Sequence, residues 1–140
     1  MYQKVIIAGN LGGDPEMRFM PDGTAVTNFS VATNRRWTNK ASGQQQEETI
    51  WFRVSVWGAQ AETTNEYLSK GRQVLVEGRM KPDPQTGGPR IWTGQDGAPR
   101  ASFEMTAESV RFIGSRDSGG FSGDDSEGGA PAQEEDEIPF

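Results

Sequence analysis

Residues 48–58 read ETIWFRVSVWG, and their alternation constrains the fold more than any other stretch of the chain. On a pleated strand, successive side chains point to opposite faces. Ile50, Phe52, Val54 and Val56 then make one unbroken apolar face, suited to a barrel interior. Trp51, Arg53, Ser55 and Trp57 make the other. A buried unpaired guanidinium costs several kcal/mol, so Arg53 marks the odd face as the outer one. The stretch reads as the longest strand of a sheet, wet on one side.

Its neighbours carry the same signature. KVIIAGN (4–10) is a short apolar, β-branched run, ended by glycines and a proline that suit a bend. EMRFM (16–20) and TAVTNFSVAT (24–33) flank Pro21-Asp22-Gly23, which predicts a hairpin. AQAETTNEYLSK (59–70) changes period and predicts a short helix with Ala61, Thr64, Asn65 and Leu68 on one face, stopped by Gly71. RQVLVEGRM (72–80) and ASFEMTAESVRFI (101–113) are further strands, joined by a Pro- and Gly-rich stretch over 82–100 that reads as a long, mobile hairpin loop. The order is strand, strand, strand, short helix, strand, strand. A small antiparallel sheet of this kind manages its edges by closing on itself. Five strands with one helix between the third and fourth is the OB-fold order, and a generic small β-barrel fits nearly as well.

From Gly114 onward the text changes. Residues 114–140 are Gly, Ser and acid with almost no apolar content, a composition that cannot offset the entropy of ordering. The expected organisation is one domain over 1–113 and a disordered tail over 114–140. Within residues 115–140, Arg116 stands against eight acids, so that segment carries −7 of the chain's −6 and leaves the body at +1. A near-neutral body is not what net charge alone would suggest for a nucleic-acid binder.

The chain has no cysteine and no histidine, which excludes disulfides, Cys/His zinc sites, cysteine nucleophiles and histidine-based triads. No cofactor, metal or catalytic residue is expected. Glu47 and Glu48 adjoin a strand, where neighbours point to opposite faces, so they make no acid/base pair. No apolar run approaches the ~20 residues of a membrane span, and MYQKVIIAGN lacks the marks of a signal peptide. A soluble, cytoplasmic protein is the expectation.

The chemistry sits with the tryptophans. The Cα atoms of Trp51 and Trp57 are six residues apart, roughly 20 Å at ~3.3 Å per residue. That is too far for mutual stacking but suits successive bases of a strand laid across the sheet. Trp37 lies in NRRWTNK beside Arg35, Arg36 and Lys40, and Trp92 in PRIWTGQ between Arg90 and Arg100, both in loop-like, polar surroundings. Residues 70–100 carry Lys70, Arg72, Arg79, Lys81, Arg90 and Arg100 against three acids, a candidate basic stripe. Aromatic faces interleaved with cations suit single-stranded nucleic acid. An RNA-binding cold-shock relative and a protein adaptor using the tryptophans as interface anchors fit the same residues.

The ordered set KVIIAGNLGGDPEMRFMPDGTAVTNFSVAT, WTNKASG, ETIWFRVSVWGAQAE, EYLSKGRQVLVEGRM and DEIPF resembles the bacterial single-stranded DNA-binding protein family. The resemblance runs over residues 4–81, more loosely through the last strand, and returns at the terminus. It implies an OB-fold Greek-key barrel and a homotetramer that coats single-stranded DNA in replication, recombination and repair, without enzymatic activity. It implies stacking by Trp37, Trp51 and Trp92, and by Trp57 where the family usually has phenylalanine. Arg53 and Lys70 match basic residues of the DNA path, and Arg35, Arg36, Arg72 and Lys81 join them as candidate contacts. Asp83 and Ala59 stand where cations would be expected.

The terminus EEDEIPF then gains a use. An acidic segment ending in Ile138, Pro139 and Phe140 is expected to be a portable ligand for replication, recombination and repair proteins. Phe140 would enter a partner's apolar pocket, while Asp136, Glu137 and the terminal carboxylate meet basic residues at its rim.

Overall fold

The computed structural model describes residues 1–114. Seven strands and one helix follow in order: β1 (Val5–Leu11), β2 (Glu16–Phe19), β3 (Ala25–Thr38), β4 (Gln45–Trp57), α1 (Ala59–Tyr67), β5 (Gln73–Met80), β6 (Arg90–Thr93) and β7 (Pro99–Ile113). Five of them close a barrel in the order β1-β5-β7-β4-β3, with β3 returning to β1 through Asn10↔Ala32 and Leu11↔Val31. This is the OB-fold Greek-key barrel. Every pairing is antiparallel except β4 with β7, which run parallel from Phe52↔Phe103 to Ser55↔Thr106.

Two glycines let the strands come this close. A Cβ on Gly9 would run into the backbone carbonyl of Ala32, where β1 crosses β3. A Cβ on Gly78 would meet the carbonyl of Thr106, beside the register shift at Glu77/Gly78 that bends β5 along β7. Inside lie Ile7, Leu11, Phe29, Val31, Val54, Val56, Leu68, Val74, Val76 and Met105. The helix buries Ala61 and Thr64 against the barrel, and Leu68, just past its end, is buried in the core. The buried Thr27 hydroxyl donates to the Ala61 carbonyl at 2.6 Å and holds α1 to the barrel.

The predicted hairpin is present. Gly23 has φ 86°, its amide donates to the Met20 carbonyl at 2.8 Å, and the Thr24 amide donates to Asp22 Oδ1 at 2.9 Å. β2 pairs only with β3 and lies outside the barrel.

Three local expectations are corrected. The helix ends at Tyr67, not at Gly71, because Leu68 leaves helical geometry (φ −94°, ψ 148°) and turns into the core; Gly71, at φ 84°, belongs to the turn before β5. Residues 82–100 are not one loop. Asp83 closes a turn by accepting the Gln85 amide, and Ile91, Trp92 and Thr93 have the branched and aromatic side chains of a strand. β6 therefore pairs with β7 from Arg90↔Ser102 to Thr93↔Pro99, turning at Gly94–Ala98. Trp37 is likewise on a strand. β3 and β4 stay paired as far as Thr38↔Gln45, a two-stranded arm that projects past the barrel. On that arm Ile50 is 40% exposed, so only Phe52, Val54 and Val56 of the even face serve the interior. The acidic tail expected over 114–140 lies, beyond Gly114, outside the described residues, and so does the ligand segment Asp136–Phe140.

Candidate nucleic-acid interface

β4 delivers the outer face that its alternation predicts. Trp51 is 51% exposed and Trp57 43%, with Arg53 and Ser55 between them. Register extends the face sideways. Ser30, Arg53 and Glu104 form one row across β3, β4 and β7; Glu16, Asn28, Ser55 and Thr106 form the next. The Ser55 hydroxyl donates to Asn28 Oδ1 at 2.7 Å.

The face is hollowed into an open groove of ≈ 570 Å³ crossing the strands, with Trp51, Arg53, Ser55 and Glu104 along it. Its cations are Arg18, Arg53, Lys81 and Arg90. Nothing in the sequence pattern singles out Arg18. It sits on β2 opposite Val26, itself opposite Trp57, so the alternation of EMRF places it on the same face. The ring of Trp51 leans over Gly12, where a Cβ would strike it, and the Gly12 amide is held to the Ser30 carbonyl at 3.0 Å. The indole is braced at Gly12 and still half exposed.

Lys70 and Arg72 do not line the groove but border it. The Lys70 amide donates to Asp14 Oδ1 at 2.8 Å, and the Leu11 amide to the Arg72 carbonyl at 2.9 Å, which seats their loop against the groove wall at Gly12–Asp14. Trp92 lies on β6 two residues from Arg90 and opposite Arg100, on the face that carries Ser102 and Glu104. Trp37 goes elsewhere. Its register with Gln46 puts it with Arg35, Glu48 and Ile50, on the reverse side of the arm from Trp51. It is 39% exposed, and the Arg35 guanidinium lies 5.2 Å from its ring centroid.

Charge is segregated. Among the described residues, Arg18, Arg53, Lys70, Arg72 and Lys81, in or beside the groove, have no carboxylate partner, and neither do Lys40 at the tip of the β3–β4 arm and Arg111 on β7. The arm arginines do: Arg35 with Glu48 (3.6 Å), Arg36 with Glu47 (3.3 Å), Arg90 with Glu104 (4.0 Å) and Arg100 with Asp96 (3.0 Å). Glu104 is only 8% exposed and also accepts the Ser102 hydroxyl at 3.0 Å. The Asp96 carboxyl is held below the ordinary carboxylate range, first by the Ala98 amide and then by Arg100. No cluster of His, Cys, Asp and Glu fit to hold a metal occurs among the described residues.

Residues 2–113 match the model of the Single-strand binding protein family. The chain belongs to that family. Among solved structures it is similar to one described as Plasmodium falciparum SSB complex with ssDNA, with a TM-score of 0.65, 24% identity, and coverage of 81% of this chain and 97% of that one. At that identity the likeness speaks for the fold. The family match spans the barrel, both arms and all four tryptophans.

Proposed function

We propose that this protein binds single-stranded DNA without sequence preference, as a non-enzymatic protein that coats and protects exposed strands in replication, recombination and repair. The observation that carries the reading is the outer face of β4. Two half-exposed tryptophans bracket an unpaired arginine and adjoin a groove whose cations are mostly free. Bases stack on indole faces whatever their identity, at about 1–3 kcal/mol each, a magnitude drawn in part from this family itself. Arg18, Arg53, Lys70, Arg72 and Lys81 supply phosphate neutralisation, and Trp92 and Trp37 offer two further faces. The arm beside the groove also brings Arg35 and Arg36 near the strand's path.

The chain works as a homotetramer in this reading. Support comes from the reverse face, where Ile50, Phe103 and Ile91 are exposed and Phe52 packs on Phe103 at a centroid distance of 5.8 Å. The protein acts in the cytoplasm, and Asp136, Glu137, Ile138, Pro139 and Phe140 recruit replication and repair enzymes.

Titrating an oligo-dT into the full-length protein at two salt concentrations tests the binding. The intrinsic tryptophan fluorescence is expected to quench, and affinity to fall with salt and to be far lower for duplex or matched RNA. An intact fold with no quenching at low salt overturns the reading. Trp51→Ala with Trp57→Ala is expected to cost roughly 1–3 kcal/mol per lost base contact without unfolding the barrel. Phe140→Ala is expected to abolish enzyme recruitment and spare strand affinity; loss of both would refute the division of labour. A mass measurement in solution tests the tetramer.

A further inference from the structure

Both hairpin arms bear arginines, yet every arm arginine is held by a carboxylate, while the groove between them keeps its cations largely free. The β3–β4 arm shows the arrangement on both sides. Arg35 pairs with Glu48 on the face of Trp37, and Arg36 with Glu47 on the opposite face, each pair directly across the ladder. These four residues are solvent-exposed, so no packing demand calls for two acids opposite two bases. Trp37 stands one residue further out with its ring only partly covered.

We propose that Glu47 and Glu48 are specificity-determining residues that silence the arm's two arginines and leave Lys40 as its one free cation among the described residues, so that the arm favours bases over polyanions that offer phosphate alone. The inference rests on single-strand binding by the groove. A duplex keeps its bases stacked within and presents only phosphates to the arm. Each phosphate must then displace a carboxylate already in place, and the cation released from the nucleic acid is offset by the one the freed carboxylate takes up. The exchange yields almost nothing. A single strand brings an open base to the Trp37 ring and needs neither arginine to let go. The two acids thus lower the affinity for every polyanion and lower it most for those that cannot stack.

The test compares wild type with Glu47→Gln/Glu48→Gln in the full-length chain. Each is titrated with an oligo-dT and with a duplex of equal length across a salt series. In the variant, duplex affinity is expected to rise about tenfold at low salt, and the slope of log K against log salt to steepen by up to about 1.8, for two freed arginines. Single-strand affinity is expected to rise no more than about threefold, so selectivity for the single strand falls. Each single change should give about half the slope effect. Selectivity that stays constant or rises, or a duplex slope that does not move, overturns the proposal. Wild type that binds neither oligonucleotide overturns instead the single-strand reading on which it rests.

Discussion

Gly12 shows how one side chain, or the lack of one, prepares a stacking surface. A Cβ on Gly12 would collide with the ring of Trp51, so the missing side chain is the space the indole occupies. Gly12→Ala is therefore expected to push Trp51 off its seat and cost about one base contact, roughly 1–3 kcal/mol of strand affinity. Its thermal unfolding midpoint should stay near that of wild type. Quenching and affinity equal to wild type would show that the brace is idle. Met105 behaves oppositely. It is fully buried in the core, so Met105→Ala is expected to cost about 2–5 kcal/mol of stability in a denaturant titration, with strand affinity per folded molecule retained. Trp51, Arg53 and Trp57 were legible at this scale because strict alternation on one strand assigns their face. Arg18 and Glu104 were not. An arginine in a four-residue strand and a glutamate in a long one look like ordinary surface charge until register with β3 and β4 brings them into the groove.

The elements differ in how plainly the sequence announces them. β4 and the β2–β3 hairpin were readable from period and turn residues. The β3–β4 arm was not, because beyond the barrel its strands are polar, and β6 was not, because its four residues stand among the prolines and glycines of 82–100, which read as loop. The β6–β7 turn carries its own pH dependence. The Ala98 amide and Arg100 favour the Asp96 carboxylate, so its folded pKa is depressed. A depressed carboxylate adds stability above its unfolded pKa and loses it as pH falls through the folded one. In a carboxyl-resolved NMR titration, Asp96 is expected to titrate below the ordinary aspartate range. The amide shifts of Gly97 and Ala98 should follow it; an ordinary midpoint would dissociate the turn from the carboxylate. α1 depends on one buried bond. Thr27→Val keeps the shape but removes the hydroxyl that ties the Ala61 carbonyl to β3, and is expected to cost about 0.5–1.5 kcal/mol in unfolding experiments.

For the whole molecule, net charge conceals the arrangement that matters. A body at +1 holds a groove with mostly free cations between two arms whose arginines are cancelled, and residues 115–140 add −7. Deleting those residues is expected to raise strand affinity, most at low salt, where like-charge repulsion and competition for the groove are least screened. Equal affinity of the two forms at low salt would exclude that competition. The segregation could not be read from composition, because it depends on which carboxylate ends up across the ladder from which arginine.

The parallel pairing of β4 with β7 has a kinetic side. Among the described residues, β7 is the last strand, and it alone joins β4 to β5 and carries β6. A growing polypeptide can form the β3–β4 ribbon early, from contacts local in sequence, but the barrel stays open until residues 99–113 have been synthesised. Such long-range closure is slow compared with helical folding. Until it happens, Trp51 and Arg53 stand on a ribbon whose Glu104 row does not yet exist, so the nascent chain displays its aromatic face to the ribosome's surroundings before it has a finished groove.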